Sequence, residues 1–239
     1  MKRFFTGIHH PCDAGEFEHS FISINTLRRR KSRGAFFPRK WVMDSGAFEA
    51  VRKKGHHSMS VWSYAAQIMY WRQFGELEAA VCQDMMCEPF MLAKTGLTVA
   101  DHQRETIERY DALLRLNTGV YIMPVLQGYE PEQYADHVRQ YGPRLAVGAW
   151  VGVGSVCKRN GSPEKVLQVL RAIHAVRPDL RLHGFGLKIT ALRDPEVRAE
   201  LETSDSMAWS FAARREGRDA NDPQEAHAFT AKINALIAA

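Results

Sequence analysis

Apolar positions in this chain follow two rhythms. Short runs rich in Val, Ile, Phe and Ala, each of strand length, lie near 3–9, 21–27, 41–44, 77–84, 120–127, 146–153, 181–187 and 205–210. Stretches with helical spacing lie near 61–74, 99–116, 131–141, 163–176, 195–202 and 223–237. Within 163–176, Val166, Leu167, Leu170 and Ile173 line one face of the expected helix. Several helix starts are also marked. Ser162-Pro163-Glu164, Asp194-Pro195-Glu196 and Asp222-Pro223-Gln224 each set a capping residue before proline at the first helical position. Thr98 and Asp101 have the spacing of a capping box ahead of 99–116.

Strands alternating with helices of this length predict a parallel sheet with helices outside it. Eight strands predict a closed (β/α)8 TIM-like barrel, compact at 239 residues and forming a single domain over 1–239. A doubly wound open sheet is the alternative, because the first two strands have no clear helix between them. There is no internal repeat, low-complexity tract or interdomain linker.

Composition narrows the class. Hydrophobic residues make up 45% and charged residues 25%, as in soluble globular proteins. No apolar run is long enough for a membrane span, and the first residues lack a signal-peptide core. A cytoplasmic location is expected, in the host cell if the chain is phage-encoded. Cys12, Cys82, Cys87 and Cys157 show no paired ligand spacing and read as buried free thiols. His9-His10 with Cys12, and His56-His57, lack the further spaced ligands of a metal site. No metal or cofactor is expected.

Charge changes the picture more. The chain carries a net charge of +5, yet residues 28–54 hold ten Lys or Arg against only Asp44 and Glu49. The densest part is Arg28, Arg29, Arg30, Lys31 and Arg33. A basic block beside a candidate catalytic carboxylate suits a polyanion held next to the site, and a solvated basic loop is the plainer alternative.

In a barrel of this kind the active site forms at the C-terminal ends of the strands. The strand ends in order are Asp44, Asp84, Gln127-Gly128, Gly152-Val153-Gly154, His183-Gly184-Phe185-Gly186 and Asp205. Carboxylates, an amide and glycines at successive ends suit a purine. A carboxylate accepts from guanine N1–H and the exocyclic amine, and an amide or backbone N–H donates to O6. Glycine admits a flat ligand close to the backbone, and Phe48 can stack on it. Two remaining carboxylates could act as nucleophile and general acid at a glycosidic carbon. Each residue also has a plainer reading: Asp44 as turn chemistry before Ser45-Gly46, Asp205 as a cap or loop carboxylate, Asp84 as half of an ion pair, and Gln127-Gly128 as an ordinary strand end.

These segments resemble the tRNA-guanine transglycosylase superfamily, and more closely its deazapurine DNA-modification branch of DpdA-type enzymes, over nearly the whole chain. Asp44-Ser45-Gly46-Ala47-Phe48 is similar to the motif whose Asp is the general acid/base and whose aromatic stacks on the base. Gln83 through Pro89 resembles the segment carrying the base-recognising Asp, here Asp84. Val125-Leu126-Gln127-Gly128 resembles the motif whose Gln reads O6. Val151-Gly152-Val153-Gly154 resembles a strand end that contributes a backbone N–H, and Leu182 through Gly186 resembles the stretch under the base. Asp205 through Arg214 resembles the segment that opens with the nucleophilic Asp and closes with Arg. The chain departs from the tRNA enzymes in lacking a cysteine-rich zinc segment after the nucleophile, in having His183 where a Met usually lies, and in having Val153 in place of a glycine.

The resemblance implies exchange of guanine in DNA for a 7-deazaguanine, preQ0 (7-cyano-7-deazaguanine) in particular. Asp205 would be the nucleophile and Asp44 the proton carrier. Phe48, Asp84, Gln127, Gly128, Gly152, Val153, Gly154, His183 and Gly184 would hold the base, and Arg28, Arg29, Arg30, Lys31, Arg33 and Arg214 the DNA. Partners would be DNA and the free deazaguanine base, without a membrane, a zinc subdomain or a cofactor. Exchange on tRNA and a non-catalytic nucleic-acid-binding barrel are the alternatives.

Overall fold

The apolar runs lie side by side and parallel. The computed structural model describes residues 1–30 and 36–238. Among them one sheet contains β1 (Arg3–Gly7), β2 (His19–Ser23), β3 (Lys40–Asp44), β4 (Glu76–Val81), β5 (Ile122–Met123), β6 (Val125–Leu126), β7 (Trp150–Val153), β8 (Arg181–Gly184) and β9 (Thr203–Ser206). Their order is β5-β4-β3-β2-β1-β9-β8-β7-β6. All pairings are parallel.

Nine strands replace the expected eight because one run is split. Pro124 separates β5 from β6, and a proline has no N–H to give to a ladder. The carbonyls of this segment nonetheless serve both neighbours. Ala80 and Cys82 donate to Tyr121 and Met123 on one side, while Gly152 and Gly154 donate to Pro124 and Leu126 on the other. The two edges of the sheet therefore meet in residues 121–126, and the sheet curls into a nearly closed α/β barrel of one domain. The open-sheet alternative falls with that pairing.

Helices occupy the connections: α1 (Ile24–Arg28), α2 (Ala47–Lys54), α3 (Val61–Trp71), α4 (Pro89–Thr95), α5 (Val99–Arg115), α6 (Pro131–Tyr141), α7 (Pro163–Val176), α8 (Ile189–Leu192), α9 (Pro195–Ala199), α10 (Ala208–Arg215) and α11 (Pro223–Ala238). The Thr98–Asp101 capping box is formed on both sides. Asp194 and Asp222 accept N–H bonds from the first turns of α9 and α11. Ser162 makes no side-chain cap bond.

Two expected strands end early, each at a serine. The run expected at 21–27 becomes β2 followed by α1, where the Ser23 hydroxyl accepts the Asn25 N–H at 3.3 Å. The run expected at 205–210 stops at Ser206, whose hydroxyl accepts the Ala208 N–H at 3.1 Å and opens α10. A cap at Ser23 and a local serine turn at Ser206 outweigh the strand character of Ile, Thr and Trp. Only a 3₁₀ turn, Pro11–Glu16, lies between β1 and β2.

One apolar core reaches from Phe4 on β1 to Ile233 on α11. Inside the barrel, rings from strands that are not neighbours meet. Phe5 contacts Trp150 and His183, and Phe21 stacks on His183 with centroids 5.5 Å apart. This aromatic plug is the floor on which the strand-end residues stand.

Candidate functional site

The chain places Asp44, Asp84, Gln127, Gly154, His183 and Asp205 at the same mouth. Asp44 is the last residue of β3, Gln127 follows β6, and Asp205 is the next-to-last residue of β9. The turn reading of Asp44 is realised. Its Oδ2 accepts the Gly46 N–H at 3.1 Å, a local turn bond that also fixes the carboxylate. Gly46 has φ 68°, and a Cβ there would lie 2.3 Å from the Asn25 amide, so only glycine fits this turn. Burial pushes the Asp44 pKa up to about 6. Bonds from Ser23 and Gly46 oppose that rise, and the charge of Asp205 adds to it.

Asp84 and Gln127 form one unit. The Gln127 Nε2 donates to Asp84 Oδ2, and its Oε1 accepts from the Ser155 hydroxyl at 3.0 Å. The Gln127 backbone is fixed as well: its N–H donates to His137 Nδ1 at 2.8 Å and its carbonyl accepts from Gln103 Nε2 at 2.7 Å. Burial pushes the Asp84 pKa up to about 7; the Gln127 bond opposes this, and the charge of Asp44 adds to it. The partner of Asp84 is an amide. The plainer alternative, an ion pair with arginine, is not formed among the described residues.

Asp205 is held from beneath. Its Oδ1 accepts the Gly186 N–H at 3.0 Å and lies 3.2 Å from His183 Nε2. His183 Nδ1 lies 2.8 Å from Thr203 Oγ1, which also accepts the Trp150 Nε1–H at 2.8 Å. Asp205 needs a donor at Nε2, so the imidazole carries its proton there and Nδ1 accepts from the single Thr203 hydroxyl proton. Trp150, Thr203, His183 and Asp205 thus form a directed chain of donors. Both bonds to the carboxylate fall on Oδ1, and Oδ2 has no partner among the described residues.

A family model described as DpdA, DeoxyPurine in DNA protein A, matches residues 1–232. The chain belongs to the DpdA family. That family is implicated in deazapurine modification of DNA, and membership suggests a transglycosylase-type enzyme. No curated protein matches the chain. No helix among the described residues is long and apolar enough to cross a membrane.

In this DpdA-family barrel the strand-end glycines make room for the protein's own side chains. A Cβ on Gly154 would lie 2.2 Å from Gln127 Nε2, one on Gly152 would lie 2.4 Å from the Phe185 ring, and one on Gly184 would lie 2.6 Å from Leu187. Gly128 packs tightly against Gln133 and Tyr134. The N–H groups of Gly152 and Gly154 are spent on the sheet. Val153 is buried in the core. Phe48 is 40% exposed on α2, edge-on to Phe90, with Lys158 Nζ 4.9 Å from its centroid.

The basic block is only partly described. Arg29 pairs with Glu49 at 3.2 Å, Arg30 lies over Phe36, and Arg28 and Arg29 line a surface pocket beside α2. Lys31 and Arg33 lie outside the described residues. Arg214 is exposed on α10; burial lowers the pKa of His9, and the charges of His10 and Arg214 add to that. Of the cysteines, Cys82 and Cys87 are buried as expected, Cys157 is half-buried, and Cys12 is exposed, contrary to the expectation for all four. No group of three or more His, Cys, Asp or Glu among the described residues converges as a metal site would.

Sequence reasoning missed Ser23, Trp150, Thr203, Ser155 and Glu88. Thr203 had a signal, because it lies two positions before Asp205 on a strand and so shares its face. Glu88 had none. It is buried, its pKa is raised by burial, and its Oε2 finds no partner among the described residues.

Proposed function

We propose that this barrel exchanges guanine in DNA for a 7-deazaguanine, preQ0-like, through a covalent Asp205–deoxyribose intermediate. The observation that carries the reading is the contrast between two carboxylates at one mouth. Asp205 has one oxygen anchored by two donors and the other without a partner, whereas Asp44 has its pKa lifted to about 6. A nucleophile needs the first condition and a proton carrier the second.

Asp205 Oδ2 attacks C1′ as the bond to guanine breaks, and the departing guanine takes the proton of Asp44. Asp44, now a carboxylate, accepts the proton of the incoming deazaguanine. That base's ring nitrogen attacks C1′ and releases Asp205. Two displacements at one carbon retain its configuration. Asp84 accepts from N1–H and the exocyclic amine, and the Gln127 amide faces O6. Phe48 stacks on the base, the Gly152–Gly154 and Gly128 backbones border it, and His183 and Gly184 lie beneath. Arg28–Arg33 and Arg214 hold phosphates. The target base must leave its stack to enter. All of these roles belong to side chains and backbone of the one barrel domain.

Incubating the protein with labelled preQ0 and either DNA or tRNA tests this reading. Label is expected in DNA, and an acid-stable protein–DNA adduct is expected to vanish in Asp205→Ala. Label only in tRNA would move the substrate to RNA. Base release without insertion would make the protein a glycosylase. Biological effect preserved in Asp205→Ala would leave only a binding barrel.

A further inference from the structure

Beside the Asp205 strand, α8, α10 and α11 enclose a surface groove of about 760 Å³. Five cations line it together with two carboxylates, Glu216 and Glu225. Both carboxylates are taken by Arg218. Lys188, Arg193, Arg215 and Lys232 are left without a carboxylate partner among the described residues. Elsewhere on this surface many cations are matched: Arg3, Arg39, Arg109, Arg144 and Arg177 each have an acidic partner. Four uncompensated cations around one groove repel one another.

The groove also displays an aromatic ring. Phe211 is 50% exposed, with Lys188 Nζ 5.1 Å and Arg215 Cζ 6.0 Å from its centroid. A large apolar ring half open to solvent, with two cations over it, puts apolar surface and positive charge together. Base faces and phosphates are the matching chemistry, and a base already stacked in a duplex presents no free face.

The placement ties this surface to the reacting end of the barrel. α10 begins two residues after the end of β9, which carries Asp205, and Trp209 Nε1 anchors that helix to the Gly7 carbonyl at 3.0 Å. On the other wall, Lys188 lies two residues after Gly186, whose N–H holds Asp205. Lys188 is fixed in turn by its own N–H bond to Asn160 Oδ1 at 2.7 Å. Phe48 and Phe90 with Lys158 likewise set exposed aromatic rings beside a cation.

We propose that this groove holds the single-stranded DNA next to the target nucleotide, with a neighbouring base on Phe211 and phosphates on Lys188, Arg193, Arg215 and Lys232. The inference rests on the base-exchange reading of Asp205, and it adds a stacking platform and a strand path outside the catalytic mouth. It also moves much of the DNA contact away from Arg28–Arg33, where Arg29 is already paired with Glu49.

Fluorescence anisotropy with a labelled single-stranded oligodeoxynucleotide, the matching duplex and tRNA, over a salt series, tests it on the full chain. Phe211→Ala is expected to weaken single-strand binding about 5- to 150-fold, and Phe211→Trp to restore it. Arg193→Ala combined with Arg215→Ala is expected to flatten the slope of log K against log salt by about 1.4, since each lost phosphate contact removes about 0.7. Unchanged affinity and slope in both variants would overturn the groove, as would tight binding of tRNA or duplex without binding of the single strand. Incorporation of labelled preQ0, measured alongside, separates the two ideas. Normal exchange with variants that bind normally refutes the groove alone. Single-strand binding that depends on Phe211, with no exchange, supports the groove and refutes the base-exchange reading.

Discussion

The proposed proton carrier and the proposed base reader are neighbouring carboxylates, so pH should reveal their joint occupancy. Asp44 titrates near 6 and Asp84 near 7, both raised chiefly by burial, and the charge of Asp44 further raises Asp84. The proposed reaction needs one proton on Asp44 and none on Asp84. Interacting sites titrate as a pair, and the productive form belongs to the pair carrying one proton. With steps at 6 and 7, that state peaks near pH 6.5 at about 60% of the enzyme and falls about tenfold per pH unit well outside the two steps. The assay is kcat/KM for incorporation of labelled preQ0 into DNA between pH 4.5 and 8.5, which reports the free enzyme. A bell centred between 6 and 7 is expected. In Asp84→Asn the acid limb should vanish, leaving a curve that is flat at low pH and falls as Asp44 loses its proton. A bell that survives in Asp84→Asn, or a wild-type rate that climbs steadily to pH 8.5, would refute the assignment of Asp44 as proton donor.

The same shifts make a stability prediction of definite sign. Both folded-state values lie above the ordinary 3.8, so these groups stabilise the fold at low pH and lose that contribution as pH rises through 6 and 7. Asp44→Asn and Asp84→Asn should therefore raise Tm at pH 8 relative to the parent, with the gain gone near pH 4; scanning calorimetry at the two pH values checks this. Thr203→Val should leave Trp150 Nε1 and His183 Nδ1 unpaired, each at a cost of about 1–3 kcal/mol in urea unfolding. It should also slow formation of the Asp205–DNA adduct in single-turnover experiments, and Thr203→Ser should restore both. Gly154→Ala should drive its methyl into the Gln127 amide, destabilise the fold by about 1–3 kcal/mol, and raise KM for the deazaguanine.

The alternation of strand and helix was legible because it follows from periodicity, and the strand ends followed from that alternation. Closure of the barrel followed from the strand count, but the split of one strand did not, because Pro124 sits within an apolar run that periodicity reads as one strand. Phe21-Ile22-Ser23-Ile24-Asn25-Thr26-Leu27 reads as strand by composition, yet a single serine hydroxyl turns its second half into helix. A cap is a local bond, and average propensity across a window hides it. At Ser206 a serine turn is the equally local bond, and Trp209, expected in the strand, belongs to α10.

The candidate site was legible as a set of residues but not as a set of contacts. Asp44, Asp84, Gln127 and Asp205 fall at the mouth because strand position alone puts them there. The glycines were expected at the right places for a reason the structure replaces: the space a Cβ would fill at Gly152, Gly154 and Gly184 is taken by Phe185, Gln127 and Leu187. A sequence shows that a position tolerates no side chain without showing what occupies the space. That distinction has a consequence for specificity. If Gly154 only admitted ligand, alanine there would shrink the pocket and penalise larger bases most. Because it admits Gln127, alanine should instead disturb the Gln127–Asp84 pair and weaken recognition of guanine and deazaguanine alike.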